Sequence, residues 1–162
     1  IRLSNPACNI EERIKQIPLN IIPYNKAVWI EDGVVYFNQE HHKKYNTGSP
    51  NDGFSDRDGW ASSVDGIGFY YQGYEDKIEI PSINFSKFVS ELPDDSNIIC
   101  KMDIEGSEFF VLRQMIEEKT ICKIKDIYIE FHERFMPNES SQSRIDIINE
   151  ITKLGTTVHE WF

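Results

Sequence analysis

The chain has 162 residues, 40% of them hydrophobic and 12% aromatic, with 27 acidic against 17 basic side chains and a formal charge of −10. That length predicts a single domain, 1–162, because two self-sufficient cores need more chain. No apolar run approaches the roughly 20 residues of a membrane span, and the excess of acid argues against nucleic acid, whose affinity comes mainly from Lys and Arg displacing counterions.

In chain order, Asn5 caps a helix that starts at Pro6 and carries Ala7, Ile10, Ile14 and Ile17 on one stripe, and Pro18 stops it. Residues 19–30 read as a strand region, Glu31-Asp32-Gly33 as a turn and 34–37 as the returning strand, so a hairpin is expected. From 39 to 66 the chain is polar and holds four of its nine glycines, which predicts either disorder or a lid over a site. A short strand at 78–80 and a helix over 85–92 follow, and Pro93-Asp94-Asp95 ends the helix.

The pattern then sharpens. Residues 97–104 form a nearly continuous apolar run, as in a parallel strand covered on both faces, and a helical stripe (Phe109, Leu112, Met115, Ile116) comes next. Residues 124–131 give another strand, Ser140 or Ser141 caps a last helix through Ile145, Ile148 and Ile151, and Gly155 separates it from a final strand over 156–162. Strand and helix alternate, so the expected class is α/β, a Rossmann-like, mostly parallel sheet with flanking helices and right-handed crossovers.

The three cysteines, Cys8, Cys100 and Cys122, are odd in number and far apart. Cys100 and Cys122 sit in apolar runs where a thiol behaves as a small buried hydrophobe, and the expected compartment is a reducing cytoplasm. The opening residues have neither a signal-peptide pattern nor a starting Met, which predicts a chain begun mid-gene or trimmed.

Ligands of open α/β sheets sit beyond the carboxyl ends of the strands. Two consecutive strands here end in polar clusters: Asp103, Glu105 and Glu108 after the first, Glu130, His132 and Glu133 after the second. If those strands are neighbours, the clusters meet on one rim. An Asp, a Glu and a His in mutual reach can deprotonate a hydroxyl, the carboxylate orienting the imidazole, and the same groups can hold a hard divalent cation. Glu105 and Glu108 also have a plain structural reading as acids in a first helical turn. Asp103 is harder to read structurally, since an unpaired carboxylate at the end of a buried strand is costly. His41 and His42 lie in the polar stretch and read as solvated.

The run Lys101-Met102-Asp103-Ile104-Glu105-Gly106-Ser107-Glu108, followed one helix later by Ile129-Glu130-Phe131-His132, resembles the K-x-D-x-E-G-x-E signature of the FkbM-like S-adenosylmethionine-dependent methyltransferases. Asn5-Pro6 resembles the end of that family's E-P-N-P turn, Asn25-Lys26-Ala27-Val28 its third strand and Trp60-Ala61-Ser62-Ser63-Val64 its serine-containing loop. The resemblance implies an O-methyltransferase that uses S-adenosylmethionine on a hydroxyl of a sugar or natural product. It implies Asp103, His132 and Glu105 as catalytic residues, Asn5, Ala27 and Asp103 at the cofactor, and Ser62, Ser63 and Glu130 at the acceptor, with no metal. A small-molecule or glycan hydroxyl is the expected partner, with no nucleic acid and no membrane span.

The sequence also departs from the family. No strand–glycine-loop–helix unit is present, Gly66-Ile67-Gly68 lies in an irregular stretch, and Leu3 and Ser4 stand where a ribose-binding acid is expected. The fold implied is therefore an incomplete class I methyltransferase fold, in which the central strand is missing and neighbouring strands keep open edges unless an upstream segment or a partner chain completes the sheet. Weak binding of S-adenosylmethionine by the isolated chain, or none, is the corresponding expectation. Two alternatives stay open: a non-catalytic or partner-completed fragment, and a metal-dependent hydrolase built on Asp103, Glu105, Glu130 and His132.

Overall fold

A computed structural model of the chain describes residues 20–38, 63–64 and 77–161. The expected helix over 6–17, and the polar stretch 39–66 apart from Ser63 and Val64, lie outside the described residues.

Two sheets carry the described strands. The first runs in the order β1 (Ala27–Trp29), β4 (Lys77–Asn84), β2 (Gly33–Asn38), β3 (Ser63–Val64). Its β1 and β4 are parallel, and its other two pairings are antiparallel. The second sheet is fully parallel, in the order β5 (Ile98–Met102), β6 (Ile124–Ile129), β7 (Thr157–Glu160). Helices α1 (Phe85–Ser90), α2 (Glu108–Glu117) and α3 (Ser141–Lys153) complete a mixed α/β arrangement, in keeping with a Rossmann-like class. The mostly parallel layout holds for the second sheet, whereas the first is mixed.

The hairpin expected between 19–30 and 34–37 is not formed. β4 lies between its two arms, so that Ser82 is in register with Ala27 on one side and with Gly33 on the other. β4 is also longer than the 78–80 strand expected. The reason is the balance of local against long-range pairing: the turn Glu31-Asp32-Gly33 offers a local reversal, while β4 matches six residues of β2. The turn is then fastened to β4 rather than closing on itself. The Ser82 hydroxyl donates to the Glu31 carbonyl at 2.9 Å, and the Asn84 N–H donates to the Asp32 carboxylate at 3.2 Å. Lys87 adds an ion pair to Asp32 at 3.1 Å.

The core fills the space between the second sheet and its helices. Phe109, Leu112 and Met115 recur at helical spacing on α2 and are fully buried against Ile127 and Ile129 of β6 and Ile151 of α3. Each such side chain contributes roughly 1.5–3 kcal/mol by leaving water. Ser140 caps α3, its hydroxyl accepting the Ser143 N–H while the Ser143 hydroxyl accepts the Ser140 N–H. After the helix, Gly155 turns the chain at φ +97 into β7. Described residues on the opposite face of the second sheet are exposed: Ile99 at 62%, and Lys101 and its register partner Tyr128 too. The expectation that the 97–104 strand is covered on both faces is not met at Ile99 and Lys101, because among the described residues the buried helical stripes pack on the Met102–Ile129 side. Cys122, expected to be buried, is exposed, whereas Cys100 is half-buried.

Candidate functional site

β5 and β6 are parallel neighbours, so their carboxyl ends share a rim, and the Glu130 N–H donates to the Met102 carbonyl at 3.0 Å to tie the two ends together. Beyond Met102 the chain makes a tight turn. Glu105 and Gly106 are both in the left-handed region, with φ of +53 and +98. Glycine adopts this without penalty, but a glutamate costs about 1–2 kcal/mol there, and residues so strained concentrate at functional sites.

The turn closes on Glu108, the first residue of α2, which is completely buried. One of its carboxylate oxygens accepts the Ile104 N–H and the other the Gly106 N–H, each at 2.9 Å. The first oxygen also lies 3.0 Å from Nδ1 of His132, which arrives from the end of β6 and is 4% exposed. With a charged acceptor at Nδ1, the proton of the neutral ring belongs on Nδ1, and Nε2 is the basic atom. Nε2 lies 3.4 Å from Glu105 and 3.9 Å from Glu130. Asp103, Glu105 and His132 each offer an atom within 4.8 Å of the others, a spacing that a proton relay and a divalent cation both accept.

Crowding of acids sets the electrostatics. Burial pushes the Glu105 carboxyl up to about 7; the His132 charge pulls against this, while Asp103, Glu108 and Glu130 add to it. For His132, burial works to lower the imidazole, but the Glu108 hydrogen bond and the charges of Glu108, Glu105 and Glu130 outweigh it and raise the group above its ordinary value. A carboxyl near neutrality beside a carboxylate-supported imidazole is a common condition for moving protons.

Alongside the rim runs a cleft of about 460 Å³, lined by Val28 of β1, Phe85 of α1, residues 100–104 and Trp161. The Lys101 ammonium sits 3.3 Å from the Trp161 ring centre at its edge. Burial pushes the Cys100 thiol up to about 11, leaving it a wall of the cleft rather than a nucleophile. Asp103 belongs to both the cleft and the rim cluster.

The structure thus brings together Asp103, Glu105, Glu130 and His132. Ala27 is half-buried in β1 and in register with Ser82, and its neighbour Val28 lines the cleft. Ser63 is in β3, opposite Asn38, at the end of the first sheet away from β1. Asn5 and Ser62 lie outside the described residues. Sequence reasoning missed Glu108, which favours a plain helix-start reading. The signal was the spacing Glu-Gly-x-Glu, since a glutamate opening a helix two residues after a glycine turn can fold back onto the amides of that turn.

The acid–imidazole cluster lies at the carboxyl rim of a parallel sheet, the place where ligands of open α/β sheets sit. Residues 6–156 match the methyltransferase FkbM domain family, and the chain belongs to that family. No curated protein and no solved structure matches it. Among the described residues no helix is long and apolar enough to cross a membrane.

Proposed function

We propose that the chain transfers a methyl group from S-adenosylmethionine to a hydroxyl of a sugar or natural product, in the cytoplasm, with His132 as the base. The observation that carries this reading is His132 Nε2, turned toward the Asp103–Glu105 side of the rim with Nδ1 held by Glu108. Apolar walls at Val28, Phe85 and Trp161 suit a purine, and the cleft volume falls within the range of about 300–1,000 Å³ typical of small-molecule sites. When bound, S-adenosylmethionine supplies a methyl group activated on a sulfonium. The acceptor hydroxyl donates its hydrogen bond to Nε2 of His132, and Asp103, between cleft and rim, orients the acceptor by accepting from a neighbouring hydroxyl. As the oxygen gains the methyl group, its proton passes to Nε2 of His132, and Glu105 and Glu130 stabilise the imidazolium that forms. Ser62, Ser63 and Glu130 are assigned to the acceptor, and Asn5, Ala27 and Asp103 to the cofactor. An upstream segment or a partner chain that completes the sheet belongs to the same proposal.

The test is an isotope-edited NMR titration of the chain with millimolar S-adenosylmethionine, followed by mass spectrometry of a panel of sugar and polyketide hydroxyls. Shifts at Val28, residues 100–104 and Trp161, with a gain of one methyl mass on an acceptor, are expected. Asp103→Ala should lower that methyl gain at least tenfold without unfolding the chain. Spectra unchanged at those residues both in the chain alone and in a chain extended upstream would overturn the reading. Shifts on the same rim with Mg²⁺ or Mn²⁺ alone would instead favour the hydrolase alternative, which the spacing of Asp103, Glu105 and His132 also accommodates.

A further inference from the structure

The carboxylates around His132 do different work, and Glu108 is the one fully withdrawn from solvent. Its side chain is 0% exposed, whereas those of Glu105 and Glu130 are 24% and 29% exposed. Both of its oxygens already accept backbone N–H groups from the turn it follows, so the carboxylate is locked in place before the imidazole meets it. A group fixed on three sides by covalent chain and two amides fixes whatever binds to its remaining lone pair.

We propose that Glu108 is a positioning residue: it holds the neutral His132 ring in the Nδ1–H form and aims Nε2 at the acceptor side of the rim. This rests on the methyltransferase reading for its purpose but not for its test. Glu105 and Glu130 approach Nε2 at 3.4 and 3.9 Å and bear on the charge of the ring, while only Glu108 among these acids lies at Nδ1. The turn serves the same end, because the left-handed Glu105 and Gly106 present two amides to one side chain. The strain at Glu105 is thereby offset within the turn.

Replacing Glu108 by Gln keeps the shape but leaves a single acceptor oxygen. If that oxygen faces the Gly106 N–H, the amide NH₂ faces His132 Nδ1 and forces the proton to Nε2. If it faces Ile104 and His132, the Gly106 N–H meets a donor. A purely structural Glu108 would lose stability on substitution and leave the ring tautomer alone.

The experiment is ¹⁵N–¹H long-range correlation NMR of the His132 ring, on the alkaline side of its titration, in the unmodified chain and in Glu108→Gln and Glu105→Gln. The unmodified chain should show the Nδ1–H form in large excess. Glu108→Gln should lower the ratio of Nδ1–H to Nε2–H roughly tenfold or more, the scale of one lost charge-assisted hydrogen bond, and Glu105→Gln, which removes an acceptor from the Nε2 side, should not lower it. An Nε2–H ring in the unmodified chain overturns the proposal even if the Gln variant fails to fold. So does a ratio that Glu108→Gln leaves untouched. Because no methyl donor enters this measurement, its failure is separate from failure of the methyltransferase reading, which the titration above decides.

Discussion

Replacing Glu105 by Gln should stabilise the chain at alkaline pH and leave it unchanged in acid. Burial is the largest influence on this carboxyl and pushes it from 4.5 to about 7, so the folded chain keeps a proton that the unfolded chain releases. The sign follows: between those two values the folded state binds more protons, and its stability falls as pH rises. The Glu105 contribution is thus intact below 4.5 and is lost as pH passes through about 7. For a fully buried group the loss by pH 8 would amount to about 3 kcal/mol. A quarter of the side chain meets water, with 24% exposed, and screening there reduces the expected penalty to about 1–2 kcal/mol. The pull of the His132 charge toward the Glu105 carboxylate is already contained in the value of about 7. Glu105→Gln cannot ionise and escapes the penalty. A gain of about 1–2 kcal/mol raises the melting temperature of a chain this size by roughly 3–6 °C. Differential scanning calorimetry at pH 8 and pH 4 reads both arms. A variant less stable than the parent at pH 8, or more stable by the same margin at both pH values, would refute the reasoning.

Two further substitutions probe the frame that holds the rim. Phe109→Ala removes a fully buried ring of α2 that packs 5.4 Å from Phe131, just before the rim histidine, and should cost about 3–5 kcal/mol in urea unfolding; a loss below about 1 kcal/mol would mean the site collapses onto the gap. Gly155→Ala should cost about 1–2 kcal/mol in thermal melting through backbone strain alone, because φ is +97 and an added Cβ meets nothing within 4 Å; an unchanged melting temperature would show that the turn relaxes.

How far the sequence discloses this molecule depends on the reach of each interaction. Ser140 with Ser143, the stripe Phe109, Leu112, Met115, and the glycine after α3 are local features, and each shows in a window of a few residues. β4 is different. It pairs with strands 39 to 55 positions earlier, and six matched residues of β2 outweigh the turn signal at 31–33 that predicts a hairpin. The exposure of Ile99 and Lys101 in the second sheet is hidden for a similar reason, since the apolar run 97–104 fits a strand buried on one side or on two, and the placement of other elements decides between them.

The site divides along the same line. Asp103 and His132 are legible because parallel neighbours must finish on one edge, so polar residues ending consecutive strands converge without any knowledge of side-chain detail. Glu108 was concealed because its burial is made possible by two backbone angles, at Glu105 and Gly106, that aim the turn's amides at it. An acid opening a helix is ordinarily a solvated response to the helix dipole. Here the turn supplies the donors that water would have supplied, and the carboxylate can then withdraw from solvent and meet an imidazole 24 residues further along the chain. The left-handed Glu105 that makes this possible is also the acid left crowded at the rim. One backbone turn therefore both fixes the ring of His132 and raises the carboxyl beside it, so the geometry and the proton affinities of the site change together when either glutamate is altered.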